Sequence, residues 1–229
     1  GLEVGAEPKI VSAVLGLLEQ VSGKPRRPVS HIDGTYAKAV LASRPAAYWR
    51  GSEFAGPLAK DASGNGHSGN YEDGVAFYLE GPQSPAFSGS IINRAPHYAG
   101  GRMKAEVKGL PENYTAEFWF YNGLPTGVRP ITGYLFSRGA DTLAVDGNGR
   151  IQFSNGDTTL VGRTPVALLT WTHAALVRSG DAVRVYLNGR EEVSGKAAPA
   201  GGDGILIGGR PAGDSNFEGR IDEVALYGR

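Results

Sequence analysis

From Asp73 onward, Asn-Gly and Asp-Gly pairs recur between short runs rich in β-branched and aromatic residues. They are Asp73-Gly74, Asn122-Gly123, Asp146-Gly147, Asn148-Gly149, Asn155-Gly156, Asn188-Gly189 and Asp203-Gly204. Each pair tolerates the positive φ that two-residue hairpin turns demand. The runs between them read as strands: 114–121, 151–153, 173–177, 183–187, 205–207 and 221–227. The cleanest hairpin is 183–193, turning at Asn188-Gly189. Along 114–121, Tyr114, Ala116, Phe118 and Phe120 fall on one face, and Thr115, Glu117, Trp119 and Tyr121 on the other. Short strands separated by turns at this spacing confine the chain to a sandwich or a barrel. The 35 glycines among 229 residues agree, at roughly twice the usual share of about 7 %. They follow no Gly-X-Y period, which excludes collagen. No fixed-length repeat occurs, which argues against a propeller or solenoid.

Charge and cysteine content remove several function classes. The sequence carries 23 basic and 23 acidic residues, with no basic stripe of the kind nucleic-acid binding requires. No polybasic cluster offers itself to a membrane surface, and no stretch approaches the ~18 apolar residues of a membrane span. With no cysteine there is no disulfide, thiolate zinc site or thiol nucleophile. The length suits one large all-β domain.

Residues 1–45 are patterned differently. Ile10, Val11, Val14, Leu15, Leu18 and Val21 form a helical stripe closed by Gly23 and Pro25. A basic, proline-rich link follows at 24–28, then a second short helix at 34–43 stopped by Pro45. The expected organisation is a helical N-terminal segment or linker over 1–45 and a β-sandwich over 46–229. The start at Gly1 suggests a piece of a longer parent chain with other domains.

Four segments carry a family likeness: Ala47-Tyr48-Trp49-Arg50 with 61–66; 114–120; 171–177 running into 185–189; and 205–209 with 217–224. In this order they resemble bacterial laminin-G-like domains of the concanavalin A-like lectin/glucanase superfamily. The resemblance implies an all-β, two-sheet antiparallel jelly roll. It also implies an extracellular, cell-surface or periplasmic setting. Trp49 and Trp171 fall at family core positions and read as packing residues. His173, at the start of a strand, reads as structural.

Enzymatic readings find little support. Glycoside hydrolysis needs two carboxyl groups facing each other across a sugar. Glucanases of the superfamily set theirs alternately on one strand, as Glu-x-Asp-x-Glu, and no such run occurs. Asp222 and Glu223 are adjacent, as are Glu191 and Glu192, so on regular strands each pair points to opposite faces. None of the four histidines (His31, His67, His97, His173) sits in the Gln-Ile-His pattern of the superfamily's alginate lyases. No Gly-x-Ser-x-Gly elbow exists. The chain is expected not to be an enzyme.

Residues 61–72 match a Ca²⁺-loop pattern except at Ser63, but the flanks are not helical, which rules out an EF-hand. Asp61 reads instead as the acceptor of an Asx-type turn. The resemblance implies another place for a structural Ca²⁺, joining the first and last strands. Its candidate ligands are Asp222, Asp61 and Glu53.

If Phe118 and Phe120 point inward, Trp119 and Tyr121 point outward and form a sugar-stacking platform. Alternatively the N-terminal helices, whose Val14, Leu15 and Leu18 need an apolar surface, or a loop, lie over them. Loops at 121–133, 138–141 and 209–216 supply a polar rim. The ligand-binding candidates are Trp119, Tyr121, Asn122, Arg138 and Arg210. The leading expectation is a noncatalytic module recognising a glycan or an extracellular protein. A structural spacer and a divergent polysaccharide hydrolase or lyase remain as alternatives.

Overall fold

The computed structural model describes residues 34–229. The expected helix over the 10–21 stripe and the basic link lie outside the described residues. The described chain opens with helix α1 (Thr35–Ala42), then strands β1 (Ala47–Trp49), β2 (Leu58–Ala59), β3 (Gly69–Tyr71) and β4 (Val75–Glu80). A one-turn helix α2 (Pro85–Ser88) precedes β5 (Arg94–Ala99), β6 (Met103–Glu106), β7 (Tyr114–Asn122) and β8 (Ile131–Arg138). Next come β9 (Asp141–Asp146), β10 (Arg150–Asn155), β11 (Thr158–Pro165) and β12 (Trp171–Ser179). The chain ends with β13 (Ala182–Leu187), β14 (Arg190–Lys196), β15 (Gly204–Ile207) and β16 (Glu218–Tyr227). No helix among the described residues is long and apolar enough to cross a membrane.

The strands make two antiparallel sheets, as a jelly-roll sandwich requires. The first runs β14-β13-β12-β7-β16-β5-β4, with β1 paired to β16; the second runs β11-β10-β9-β8-β15-β6-β3-β2. The hairpin turn between β13 and β14 is the one the sequence announces, with Asn188 at φ 49° and Gly189 at φ 79°.

Period-2 alternation builds the core. On β7 the buried residues are Tyr114, Ala116, Phe118, Phe120 and Asn122, as the pattern at 114–121 requires. Tyr114, Ala116, Phe118 and Phe120 meet Phe136, Leu143, Val145, Ile151 and Phe153 of the second sheet in one continuous apolar cluster. Each fully buried Leu, Ile, Val or Phe there contributes about 1.5–3 kcal/mol. Trp49 lies in this cluster, as expected, and its indole Nε1 donates to the His67 carbonyl at 2.9 Å.

A smaller apolar cluster forms on the outer face of the first sheet. There Ala37 and Val40 of α1 pack on Tyr48, Ala225 and Tyr227. Helices α1 and α2 act together as a cap. The Gly34 amide donates to the Phe87 carbonyl at 3.0 Å. A Cβ at Gly34 would stand 2.0 Å from the Ala86 carbonyl oxygen, so only glycine permits this approach. Ser84 caps α2 by accepting from the Ala86 amide at 3.2 Å, with Pro85 opening the helix.

Candidate functional site

The outer face of the first sheet is organised in rows, because register places side chains of neighbouring strands side by side. One row joins His97 of β5, Arg220 of β16, Tyr121 of β7 and Trp171 of β12. The next joins Asp222, Trp119 and His173. The two rows have different fates.

The second row is closed. The Trp119 indole meets Phe87 of α2 at 5.5 Å, Tyr36 of α1 at 6.4 Å and His173 at 5.2 Å between ring centroids. Trp119 therefore packs beneath the cap and offers no stacking platform. Behind it, Glu117 accepts from the Tyr227 hydroxyl at 2.5 Å and pairs with His173 Nε2 at 3.3 Å. Burial alone would raise the Glu117 carboxyl; the bonds from His173 and Tyr227 outweigh it and hold it below its ordinary range.

The first row is open. His97, Arg220, Tyr121 and Trp171 are all half-buried. The Tyr121 and Trp171 rings lie 5.5 Å apart at 50°, and the Arg220 guanidinium sits 5.1 Å over the other flank of Tyr121. Arg220 Nη1 donates to the Glu80 carbonyl at 2.6 Å, which fixes the side chain. Burial, and then the Arg220 charge, depress the His97 pKa, so its imidazole is neutral near pH 7. The reading of Trp171 as a core residue is thereby corrected. Thr172, Ala174 and Leu176 take the inward positions of β12, which turns Trp171 and His173 outward.

The other expected ligand residues do not join this row. Asn122 is buried, and its side chain bonds both backbone groups of Leu124. Arg138 is also buried and donates to the carbonyls of Leu110 (2.6 Å), Pro111 (2.7 Å) and Gly202 (3.1 Å). Both are structural, because their polar atoms are spent inside the sandwich. Arg210 is partly exposed but stacks on Tyr134 of the second sheet at 4.5 Å and pairs with Asp214. Of the five candidates, only Tyr121 lies in the open row. His97, Arg220 and Trp171 were missed. Phase along β12 would have recovered Trp171, while the other two depend on cross-strand register.

The three candidate metal ligands are dispersed in role. Asp61 accepts from the amides of Tyr48 (3.0 Å), Ser63 (2.8 Å) and His67 (2.9 Å). This is the Asx turn, and both its oxygens are spent. Glu53 accepts from the Lys60 amide at 2.8 Å and the Tyr71 hydroxyl at 3.3 Å. Among the described residues no cluster of three or more His, Cys, Asp or Glu side chains could hold a metal. Asp222 differs. It is fully buried and accepts from Asn93 Nδ2 at 2.9 Å through Oδ2, while its Oδ1 has no hydrogen-bond partner. The buried Asn93 Oδ1 also lacks one. Gly51 and Gly81 bring backbone against the same carboxylate; a Cβ on either would stand 2.8 or 3.0 Å from an Asp222 oxygen. Bare hard oxygens are the donor type that a Ca²⁺-type ion takes, so Asp222 and Asn93 are the described residues that would hold such a group.

Asp222 and Glu223 also correct an expectation. Adjacency should send them to opposite faces, yet both lie by Arg50. Glu223 adopts φ 52° and the register of β16 on β7 slips between Asp222 and Ala225, which is a β-bulge. Glu223 pairs with Arg50 at 3.0 Å and accepts from the Tyr48 hydroxyl. Burial, reinforced by the Glu223 charge, pushes the Asp222 carboxyl well above its ordinary range.

A laminin-G family model, described as the concanavalin A-like lectin/glucanases superfamily, matches residues 99–229. No curated protein sequence matches. Among solved structures, domain 4 of a GH43 extracellular arabinanase from Geobacillus stearothermophilus, in complex with arabinotriose, is similar at TM-score 0.59 and 21 % identity. That match covers 80 % of this chain and 92 % of that domain. A sialidase of Trypanosoma rangeli, in complex with 2,3-difluorosialic acid, is similar at TM-score 0.60 and 16 % identity, over 82 % of this chain and 31 % of that one. The receptor-binding domain of botulinum neurotoxin type G is similar at TM-score 0.53 and 12 % identity, over 81 % and 48 %. The chain thus spans about a third of the sialidase and half of the neurotoxin domain. At these identities the likeness is one of fold.

Proposed function

The chain belongs to the concanavalin A-like lectin/glucanases superfamily, and from that premise we propose that it is a noncatalytic glycan-binding module whose site is the open row of His97, Arg220, Tyr121 and Trp171. The half-exposed Tyr121–Trp171 pair carries this reading. Aromatic faces on hydrogen-bonded strands are rigid, so stacking a sugar's C–H face on them costs little ordering entropy. Arg220 and neutral His97 stand beside the rings as groups for hydroxyls. The arabinanase domain's complex with arabinotriose supports a sugar as the ligand class. In support of a noncatalytic role, the row itself carries no carboxylate, and Glu218 beside it, whose charge reaches His97, is paired with Arg129 at 3.3 Å. The adjacent Asp222 and Glu223 are fully buried.

The proposal includes an extracellular or cell-surface setting, supported by the arabinanase described as extracellular. Cell fractionation checks it, and recovery in the soluble cytoplasm overturns it. It also includes a structural Ca²⁺ held by Asp222 and Asn93, whose bare oxygens motivate it. When bound, such an ion supplies positive charge to a buried carboxylate and ties β16 to the segment before β5.

A glycan array followed by calorimetric titration tests the site. Trp171→Ala should weaken binding at least tenfold, as loss of a stacking hot spot does, with the melting temperature nearly unchanged. Trp119→Ala should instead lower stability by about 2–4 kcal/mol, because it opens a cavity beneath the cap. Undiminished binding by both Trp171→Ala and Tyr121→Ala would sink this site. An array without hits would sink the lectin reading in favour of a spacer or a protein-binding role.

A further inference from the structure

We infer that the ligand is an extended, linear oligosaccharide lying across the strands, rather than a single terminal sugar; this rests on the glycan-binding reading above. The open row lies at the end of its sheet. On one side β7 stops at Asn122 and β12 begins at Trp171, so no further row follows the aromatic half, while Glu218 of β16 and Ala99 of β5 stand beyond the other half. On the other side the next row, one two-residue step of about 6.6 Å along the strands, is closed. There Trp119 lies under Phe87 and Tyr36. Along the strands the aromatic half of the face is therefore about one sugar wide.

Across the strands it is longer. Trp171, Tyr121, Arg220 and His97 occupy four successive strands, β12, β7, β16 and β5. Neighbouring strands stand about 4.8 Å apart, so the row spans about 14 Å, the length of roughly three units of an extended sugar chain. Beyond His97 the row ends at Ala76 on the edge strand β4, a small exposed residue that raises no wall. The row is also graded. Its β12–β7 half is aromatic and suits stacking, while its β16–β5 half, with Arg220 and His97, suits hydroxyl recognition. The cap flanks one long edge, so branches pointing toward α2 would collide with Phe87. A linear chain meets all of these constraints, and a monosaccharide uses only half of the row.

Titration of the full chain with α-1,5-arabino-, β-1,4-xylo- and β-1,4-gluco-oligosaccharides of one to six units tests this. For the ladder that binds, affinity should climb at least tenfold from one unit to three or four and then level off. His97→Ala should remove most of the gain from the third unit while leaving disaccharide affinity within about twofold. Trp171→Ala should weaken every length. A monosaccharide that binds within twofold of the hexasaccharide, still dependent on Trp171, overturns the crosswise chain but leaves the glycan site standing. A length gain untouched by His97→Ala also overturns it. Failure of every ladder to bind overturns both.

Discussion

Among the described residues two aspartates are fully buried, and they are finished differently. Asp141 lies between the sheets. Its Oδ2 accepts from the Tyr114 hydroxyl at 2.8 Å and pairs with Arg178 Nε at 3.2 Å, and its Oδ1 accepts from Asn155 Nδ2 at 2.7 Å. Arg138 lies 4.5 Å over the Tyr114 ring, so two guanidinium groups attend one carboxylate. Asp222 lies between the first sheet and its cap. There one guanidinium among the described residues, Arg50, attends both Asp222 and Glu223, and Oδ1 of Asp222 is left without a hydrogen bond. Burial raises both carboxyls. Asn155, Tyr114 and the two arginines restrain Asp141, whereas Glu223 drives Asp222 further. A carboxylate with both oxygens engaged fastens strands together. One with a bare buried oxygen is costly as a bare anion and gains from a proton or a cation.

The largest effect should come from undoing the fastener. Asp141→Ala leaves Arg178 and Arg138 buried beside a missing carboxylate, and removing one partner of a buried pair costs about 3–5 kcal/mol. Urea denaturation reads this directly. A cost below about 1 kcal/mol would mean that Asp141 is no more fastened than Asp222.

The next effect separates proton from cation at Asp222. Its folded pKa lies above the unfolded value of about 3.9, so the folded state binds more protons between the two. Stability from this group is therefore greatest at acid pH and falls as pH rises through the folded pKa. Ca²⁺ binds the ionised form. It should stabilise the protein by about 2.7 kcal/mol at a hundredfold excess over Kd where Asp222 is ionised, and progressively less as falling pH protonates that carboxyl. Asp222→Asn should abolish that shift. Asp141 titrates with the same sign but should show no Ca²⁺ dependence. Melting curves that ignore both Ca²⁺ and chelator at every pH would remove the cation from the proposal and leave a protonated Asp222.

Much of the fold was legible because it rests on period-2 alternation and turn chemistry. The inward residues of β7 and the Asn188-Gly189 turn follow from local sequence alone. The site was less legible, because it depends on relations between segments. Tyr121 was placed correctly outward, but the fate of Trp119 depended on Phe87, which reaches it from α2. Trp171 was assigned to the core by its family position, although small Thr172 and Ala174 mark the inward phase. Asp222 and Glu223 were separated by a rule for regular strands, and a bulge breaks that rule. Arg138 resembled a rim residue, since a charged side chain near a loop normally seeks water. The carbonyls of Leu110, Pro111 and Gly202, the Tyr114 ring and the nearby Asp141 carboxylate together explain its burial.

The smallest expected effect compares the two asparagines that hold the aspartates. Asn155 Nδ2 donates to Asp141 and also reaches the Ala198 carbonyl at 3.1 Å, so Asn155→Ala removes a donor from one buried acceptor, Asp141, while the carbonyl of exposed Ala198 keeps its bond from Arg178. An unsatisfied buried acceptor costs about 1–3 kcal/mol, and two remaining donors to Asp141 place the cost near the low end, about 1–2 kcal/mol. That cost should be the same with and without Ca²⁺. Asn93 Nδ2 donates to Asp222, while its own Oδ1 has no partner. Asn93→Ala therefore removes one donor but also one unsatisfied acceptor, and these oppose each other. In chelator the substitution should cost at most about 1 kcal/mol. In saturating Ca²⁺ it should cost more, because an oxygen that helps to hold the ion is gone. A Ca²⁺-independent cost at Asn93 would make it a plain hydrogen-bond partner like Asn155, and the distinction between the two aspartates would then rest on Asp222 alone.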